Sequence, residues 1–186
     1  MTRVIGGVAG GRRIAVPAGD GTRPTTDRTR EALFSSLEAE FSSFDGVNVL
    51  DLYAGSGAIG LEALSRGAAK VVLVESDRKA AEVITANIKV VGLPGVTVLT
   101  RPVEKLAAGE PLAVFDLLYA DPPYKLDTVE LQDVLVALAA NGWLAPDAFV
   151  VVERGKREPW EWPEGFAGLR DRKYGEARLW YGHRHG

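Results

Sequence analysis

The chain has 186 residues, 46% hydrophobic and 25% charged, with a net charge of −3 and no cysteine. That length fits one domain with a sizeable core, and that balance excludes a disordered chain. Without cysteine there is no disulfide, thiolate zinc site, iron–sulfur cluster or thiol nucleophile.

The N-terminal 30 residues carry six arginines against two acids, residues 31–152 carry 8 basic and 17 acidic side chains, and residues 153–186 carry 8 and 6. A basic arm on an acidic body suggests an anionic partner; a merely solvated basic hairpin explains the charge equally well. No apolar stretch at the start is long enough for a signal peptide, and no run approaches the ~18 apolar residues of a membrane span. A cytoplasmic location is expected.

Val4–Gly7 and Arg12–Val16 flank Gly10-Gly11 and predict a β-hairpin that adds little to a core. A loop rich in Gly, Pro and Thr follows to Thr25, and Thr26 can cap a helix to about Glu40 whose apolar face is Ala32, Leu33, Leu37 and Phe41. From Val47 strands and helices alternate. Strands are predicted at Val47–Leu52, Lys70–Glu75, Val96–Thr100, Val114–Ala120 and Ala148–Glu153. Helices are predicted at Ile59–Arg66, Arg78–Val91, Val103–Ala108 and Thr128–Ala140. Leu169–Tyr174 and Ala177–Tyr181 suggest a closing antiparallel hairpin around Gly175. Near-continuous apolar strands between amphipathic helices imply an α/β fold with a parallel sheet covered on both faces.

Asp51-Leu52-Tyr53-Ala54-Gly55-Ser56-Gly57-Ala58-Ile59-Gly60 follows the first of these strands and opens a helix. Gly55, Gly57 and Gly60 match the G-x-G-x-x-G pattern of a tight turn that lets backbone approach a nucleotide-like ligand. Glu75 ends the next strand, where a carboxylate can accept from both ribose hydroxyls. The turn does not name its ligand. A dinucleotide would bring a pyrophosphate, which Asp51 would repel; S-adenosylmethionine brings a cationic sulfonium, which Asp51 suits. Asp51, Tyr53, Gly55, Ser56, Gly57, Glu75 and Ser76 are the candidate cofactor residues, with Arg101 and Val103 after the third strand as candidates for the adenine side.

Asp121-Pro122-Pro123-Tyr124 directly follows the strand ending at Ala120, at the carboxyl edge where α/β sites form. Two prolines stiffen the loop and remove two N–H donors, leaving an acceptor-rich turn beside a carboxylate and an aromatic ring. Such a set suits the exocyclic amine of a flat base: Asp121 and the Pro122 carbonyl accept its N–H bonds, and Tyr124 stacks. The amine lone pair is delocalised into the ring, and acceptors placed for a more tetrahedral nitrogen would localise it for attack. Methylation at C5 of a pyrimidine normally uses a cysteine, so its absence favours a nitrogen target.

These residues resemble the bacterial RsmD-type 16S ribosomal RNA guanine-N2 methyltransferases over nearly the whole chain. The resemblance runs through Ile5-Gly6-Gly7, Gly11-Arg12-Arg13, Arg23–Arg28, Arg30–Phe34, Asp51–Gly67, Glu75–Arg78, Asp121–Tyr124 and Asn141–Leu144. The glycine turn and the tetrapeptide are shared by many methyltransferases; the Arg23–Phe34 block is far more specific. The resemblance implies a class I S-adenosylmethionine-dependent methyltransferase fold, Rossmann-like with a seven-stranded mostly parallel sheet. It divides the chain into an N-terminal hairpin arm and loop over residues 1–24 and a methyltransferase domain over residues 25–186. It implies methyl transfer to a guanine N2 amine of 16S ribosomal RNA in the small subunit or its assembly intermediate. Arg3, Arg12, Arg13, Arg23 and Arg28 are then candidate RNA contacts, and no metal is called for. The family often ends the tetrapeptide in Phe where this chain has Tyr124, a change that keeps the stacking ring and does not separate guanine N2 from adenine N6. An adenine-N6 methyltransferase acting on DNA or RNA, a nicotinamide-dependent dehydrogenase and a non-catalytic RNA-binding module are the competing readings.

Overall fold

The computed structural model describes residues 1–19 and 25–185. Strands β1 (Thr2–Arg3) and β2 (Arg13–Ile14) pair antiparallel, and helix α1 (Asp27–Phe41) follows. Then come β3 (Asn48–Leu52), α2 (Ala58–Ser65), β4 (Lys70–Val74), α3 (Arg78–Val91), β5 (Val96–Leu99), α4 (Val103–Ala108), β6 (Phe115–Ala120) and α5 (Thr128–Ala140). The chain ends in β7 (Leu144–Gly155), β8 (Phe166–Tyr174) and β9 (Ala177–Arg184). Seven strands form one sheet in the order β5-β4-β3-β6-β7-β9-β8. The pairs from β5 to β7 are parallel, and β9 runs antiparallel to both neighbours.

Local chemistry sets the helix bounds. The Thr26 hydroxyl accepts from the Thr29 amide at 3.1 Å and starts α1. Asp77 accepts from Ala80 N–H at 2.9 Å and starts α3, which stops where Gly92 turns left-handed at φ 68°. On one face of the sheet Val49, Leu73, Tyr119 and Val151 pack on Leu33, Leu37, Leu61 and Ile84. On the other, Leu50, Val72, Leu118 and Val150 pack on Leu106, Leu131, Leu135 and Trp143. The strands are thus apolar on both faces, as a two-sided parallel sheet requires. Trp160 is buried in this second cluster and meets Trp162 edge-on, in the irregular connection before β8.

The N-terminal segment departs from the sequence expectation. Its strands are two residues each, the Val4 amide extends the pairing by one bond to the Arg12 carbonyl, and residues 6–11 are a run of bends and turns. It is also part of the core, because Val4, Ala9 and Ile14 are buried in the cluster under α1 and α2. The reason is polar. Glu62 of α2, itself fully buried, accepts the Ile5 and Gly6 amides at 2.8 Å each, and Ser65 Oγ donates to the Gly6 carbonyl. Asn87 of α3 accepts the Ala15 amide and donates to its carbonyl. A Cβ on Gly7 would lie 2.0 Å from the Ser65 carbonyl oxygen, so only glycine lets the segment lie this close to α2.

Candidate active site

Parallel register brings the acids together. Leu73, Asp51, Tyr119 and Val151 stand abreast on β4, β3, β6 and β7, so their side chains share one face. Two residues further, at the carboxyl ends, come Glu75, Tyr53, Asp121 and Glu153. Asp51, Tyr119 and these last four line one cavity of about 1200 Å³, whose other walls include Val16, Thr25, Arg28, Pro102, Val103, Arg154 and Lys173. The site therefore lies where crevices form in open α/β sheets.

The glycine turn is held by side chains. Glu75 Oε1 accepts the Gly55 amide at 2.9 Å while its other oxygen accepts Asp77 N–H at 2.9 Å. Asp51 Oδ2 accepts the Gly60 amide at 3.0 Å, and Ser56 Oγ accepts that of Ala58 at 3.2 Å. Gly57 donates to the Ala54 carbonyl. Most amides that a pyrophosphate would need at the start of α2 are thus occupied, which weighs against a dinucleotide. Tyr53 sits in the left-handed region at φ 57°, an unfavourable conformation for a bulky residue that here turns the chain from β3 into the cavity wall.

Desolvation dominates the electrostatics. Burial pushes the Asp51 carboxyl up to about 8, against the opposing Gly60 hydrogen bond and with help from the Glu75 charge. Asp121 is raised well above the usual carboxylate range, first by burial, then by the Glu153 carboxylate and Asp51, against Arg154. A cation bound beside Asp51 would favour its ionised form, and the Glu75 carboxylate in the same wall can accept from a ribose diol. The donor set therefore fits a sulfonium-bearing adenosine ligand.

The sequence candidates fall into three groups. Asp51, Tyr53, Gly55, Ser56, Glu75, Ser76, Val103 and the whole Asp121-Pro122-Pro123-Tyr124 loop share the cavity wall. Gly57 is buried beneath that wall as the left-handed residue before α2. Arg101 is exposed and outside the lining, which takes Pro102, Val103 and Glu104 instead. Of the arginines, Arg28 lines the cavity, Arg3 pairs with Asp27 at 3.3 Å, Arg12 donates to the Val91 carbonyl, and Arg13 is exposed. Arg23 lies outside the described residues. Among the described residues no group of three metal-ligating side chains is positioned around a common centre.

Two site residues escaped the sequence reading. Glu153 lies on β7, the strand beside β6, two residues before its end at Gly155, and the Tyr119 hydroxyl donates to it at 3.0 Å. Arg154 is buried in the wall, donating to the Leu126 carbonyl at 3.1 Å and pairing with Glu158 at 2.9 Å. The available signal is that β3, β4, β6 and β7 each carry an acid in or just after their carboxyl-terminal part, which becomes a pattern once the strand order is known.

Residues 2–183 match the family described as Conserved hypothetical protein 95. The chain is 38% identical over 153 residues to "Ribosomal RNA small subunit methyltransferase D" of Escherichia coli, covering 81% of this chain and 73% of that protein. It is 32% identical over 176 residues to the protein of the same name in Haemophilus influenzae, covering 93% and 89%. The structure described as "Putative methyltransferase yhhF from Escherichia coli" superposes with a TM-score of 0.85 at 30% identity, over 100% of this chain and 98% of that one. A Synechocystis magnesium protoporphyrin IX methyltransferase shares the fold at a TM-score of 0.66 and 16% identity, over 89% and 86%.

Proposed function

We propose that this chain, which belongs to the RsmD-type family described as Conserved hypothetical protein 95, is an S-adenosylmethionine-dependent methyltransferase of small-subunit ribosomal RNA. The target we assign is the exocyclic N2 amine of a guanine. The observation that carries this reading is the Asp121 carboxyl in the cavity wall, on a loop whose two prolines withhold N–H donors and which leaves the strand next to that of the Glu75-tethered glycine turn.

The cofactor, when bound, supplies an electrophilic methyl group whose carbon–sulfur bond breaks as the carbon–nitrogen bond forms, the sulfur keeping the electron pair. Glu75 and Ser76 are assigned to the ribose, Asp51 to the cationic end, and Pro102-Val103 to the adenine wall. Asp121 and the Pro122 carbonyl accept the amine N–H bonds, which localises the lone pair and aims it. Tyr124, exposed at the cavity mouth, stacks on the base and fixes its plane. Arg28 on the opposite rim is assigned to an RNA phosphate.

The test is transfer of labelled methyl from S-adenosylmethionine to undermethylated small ribosomal subunits, followed by nucleoside analysis. N2-methylguanosine is the expected product. N6-methyladenosine would replace the guanine assignment, and absence of label from every RNA substrate would overturn the function.

A further inference from the structure

Ala120 of β6 stands opposite Val152 of β7 in parallel register. Asp121 directly follows Ala120 and Glu153 directly follows Val152, on neighbouring strands whose axes lie about 4.8 Å apart, and both side chains line the same cavity, with Glu153 the strongest neighbouring charge and a side-chain hydrogen-bond partner of Asp121. Glu153 is fixed there by two hydroxyl donors, Tyr119 at 3.0 Å and Thr25 at 3.3 Å, both onto Oε1. Burial and the Glu153 charge push the Tyr119 hydroxyl well above its ordinary range, so it remains a donor. Nothing in the transfer chemistry derived above uses this second carboxyl.

We propose that Glu153 is a positioning residue for Asp121, a second carboxyl that shares a proton with it and makes it basic enough to take the proton leaving the target amine. The inference rests on the amine-methylation reading of the site. As the new nitrogen–carbon bond forms, the nitrogen carries one hydrogen too many. Its N–H bond breaks, the electron pair stays on nitrogen, and the proton passes to an Asp121 oxygen and from there to water. An isolated exposed aspartate is a weak acceptor for that proton. Two desolvated carboxyls on neighbouring strands hold the first proton far more tightly, because both cannot ionise freely side by side.

The other charges around the pair do not cancel the effect. Asp51 on β3 adds to it, and Arg154 on β7 opposes it. Arg154 is already paired with Glu158 and the Leu126 carbonyl, which draws its guanidinium toward the loop after the tetrapeptide. Glu75, just after β4, accepts the Gly55 and Asp77 amides, and Arg28, Lys173 and Glu176 line the cavity from α1, β8 and the β8–β9 turn.

The test titrates the Asp121 carboxyl carbon by NMR in the full chain, with Asp121→Asn identifying the resonance. In the wild type its midpoint lies above the usual carboxylate range. In Glu153→Gln, which keeps an acceptor for Tyr119, it falls by at least one pH unit, about tenfold in proton affinity. Tyr119→Phe removes a donor from Glu153, lets it compete for the proton, and moves the Asp121 midpoint the same way. In single-turnover transfer to small subunits, the acid limb of the Glu153→Gln rate profile moves to lower pH. Its plateau drops about threefold or more, as a weaker base implies, with S-adenosylmethionine affinity unchanged. An Asp121 midpoint equal in wild type and both variants, or an unmoved acid limb with a wild-type plateau, overturns the proposal. Absence of any methyl acceptor would overturn the function and leave the carboxyl titration readable.

Discussion

Asp51 Oδ2 accepts the Gly60 amide at 3.0 Å, and that oxygen would lie only 3.3 Å from a Cβ placed on Gly60. The same Cβ would meet Leu73 Cδ2 at 2.2 Å and Val71 Cγ1 at 2.9 Å. The third glycine of the turn thus serves the close seating of α2 on β3 and β4, and its neighbours are buried strand residues with little room to give.

Gly60→Ala is accordingly expected to destabilise. Overpacking of about 1–3 kcal/mol, near its upper end for contacts this short, outweighs the gain of up to about 1 kcal/mol in helix propensity. A net loss of about 1–2 kcal/mol lowers Tm by several degrees for a domain of this size, roughly 2–4 °C per kcal/mol. Thermal unfolding checks the first effect and calorimetric titration with S-adenosylmethionine the second, a weaker affinity from a displaced Asp51. A variant as stable as wild type would mean that α2 is seated more loosely than its contacts indicate.

Glu62→Ala is expected to cost about 2–5 kcal/mol, because it leaves the Ile5 and Gly6 amides without their buried acceptor and the Arg66 guanidinium with Glu38 as its remaining carboxylate. Deleting residues 1–16 strips Val4, Ala9 and Ile14 from the core as well. Urea unfolding should find the truncated chain severely destabilised, and retention of wild-type stability would show the segment to be only a surface appendage.

That arm marks the limit of what pattern reading reaches. Helices α3 and α5 were legible to the residue, Arg78–Val91 and Thr128–Ala140, because aspartates cap their starts and an Asn-Gly or Gly ends them. The cavity residues were legible wherever a local motif held them, as in the glycine turn and the Asp121–Tyr124 loop. Glycine-rich flanks around Val4 and Ile14 instead suggest a free hairpin, since Glu62, which accepts the Ile5 and Gly6 amides, lies more than 50 residues from them in a helix that looks complete by itself. Glu153 was hidden for the same reason: its meaning comes from Asp121, 32 positions earlier, and only the β6–β7 register brings the two side by side.

Cofactor affinity should depend on pH through Asp51. With the carboxyl pushed up to about 8 by burial, its contribution to the stability of the ligand-free protein is present at low pH and lost as pH rises through that value. A cation bound beside it favours the ionised form, so binding below pH 8 requires release of a proton. S-adenosylmethionine affinity is expected to fall by up to about tenfold per unit as pH drops from 8 toward 6, and Asp51→Asn should be weaker and flat over that window. Calorimetry in two buffers of different ionisation enthalpy measures the released proton directly; equal apparent enthalpies would count against the assignment.

The arginines should separate by their present partners. Arg13 is exposed and Arg28 faces the cavity, whereas Arg12 donates to the Val91 carbonyl at the end of α3. The pair Arg13→Ala/Arg28→Ala is expected to raise the apparent substrate constant for ribosomal subunits and to flatten its salt dependence by about two counterions, with S-adenosylmethionine affinity intact. Salt dependence like that of the wild type would remove both from the RNA contact.

Asp121 divides binding from chemistry. Its carboxyl is assigned to the nucleophile, and the cofactor's ribose and cationic end are assigned to Glu75 and Asp51. Asp121→Ala should therefore bind S-adenosylmethionine within a few-fold of wild type while losing transfer by two or more orders of magnitude, the scale of a positioned proton acceptor, about 10²–10⁴. Asp121→Asn keeps one acceptor oxygen for the amine and should recover part of the orientation, yet it cannot take the departing proton. Its rate should lie between those of alanine and wild type and lose the acid limb that Asp121 imposes on the pH profile. Removing the buried carboxyl also relieves the repulsion with Glu153 and Asp51, so both variants should unfold at a temperature equal to or above that of wild type. Single-turnover rates, calorimetric affinities and melting curves measured together decide the point. Near-wild-type transfer by Asp121→Ala, on a subunit substrate that the wild type methylates, would move the chemistry away from this loop.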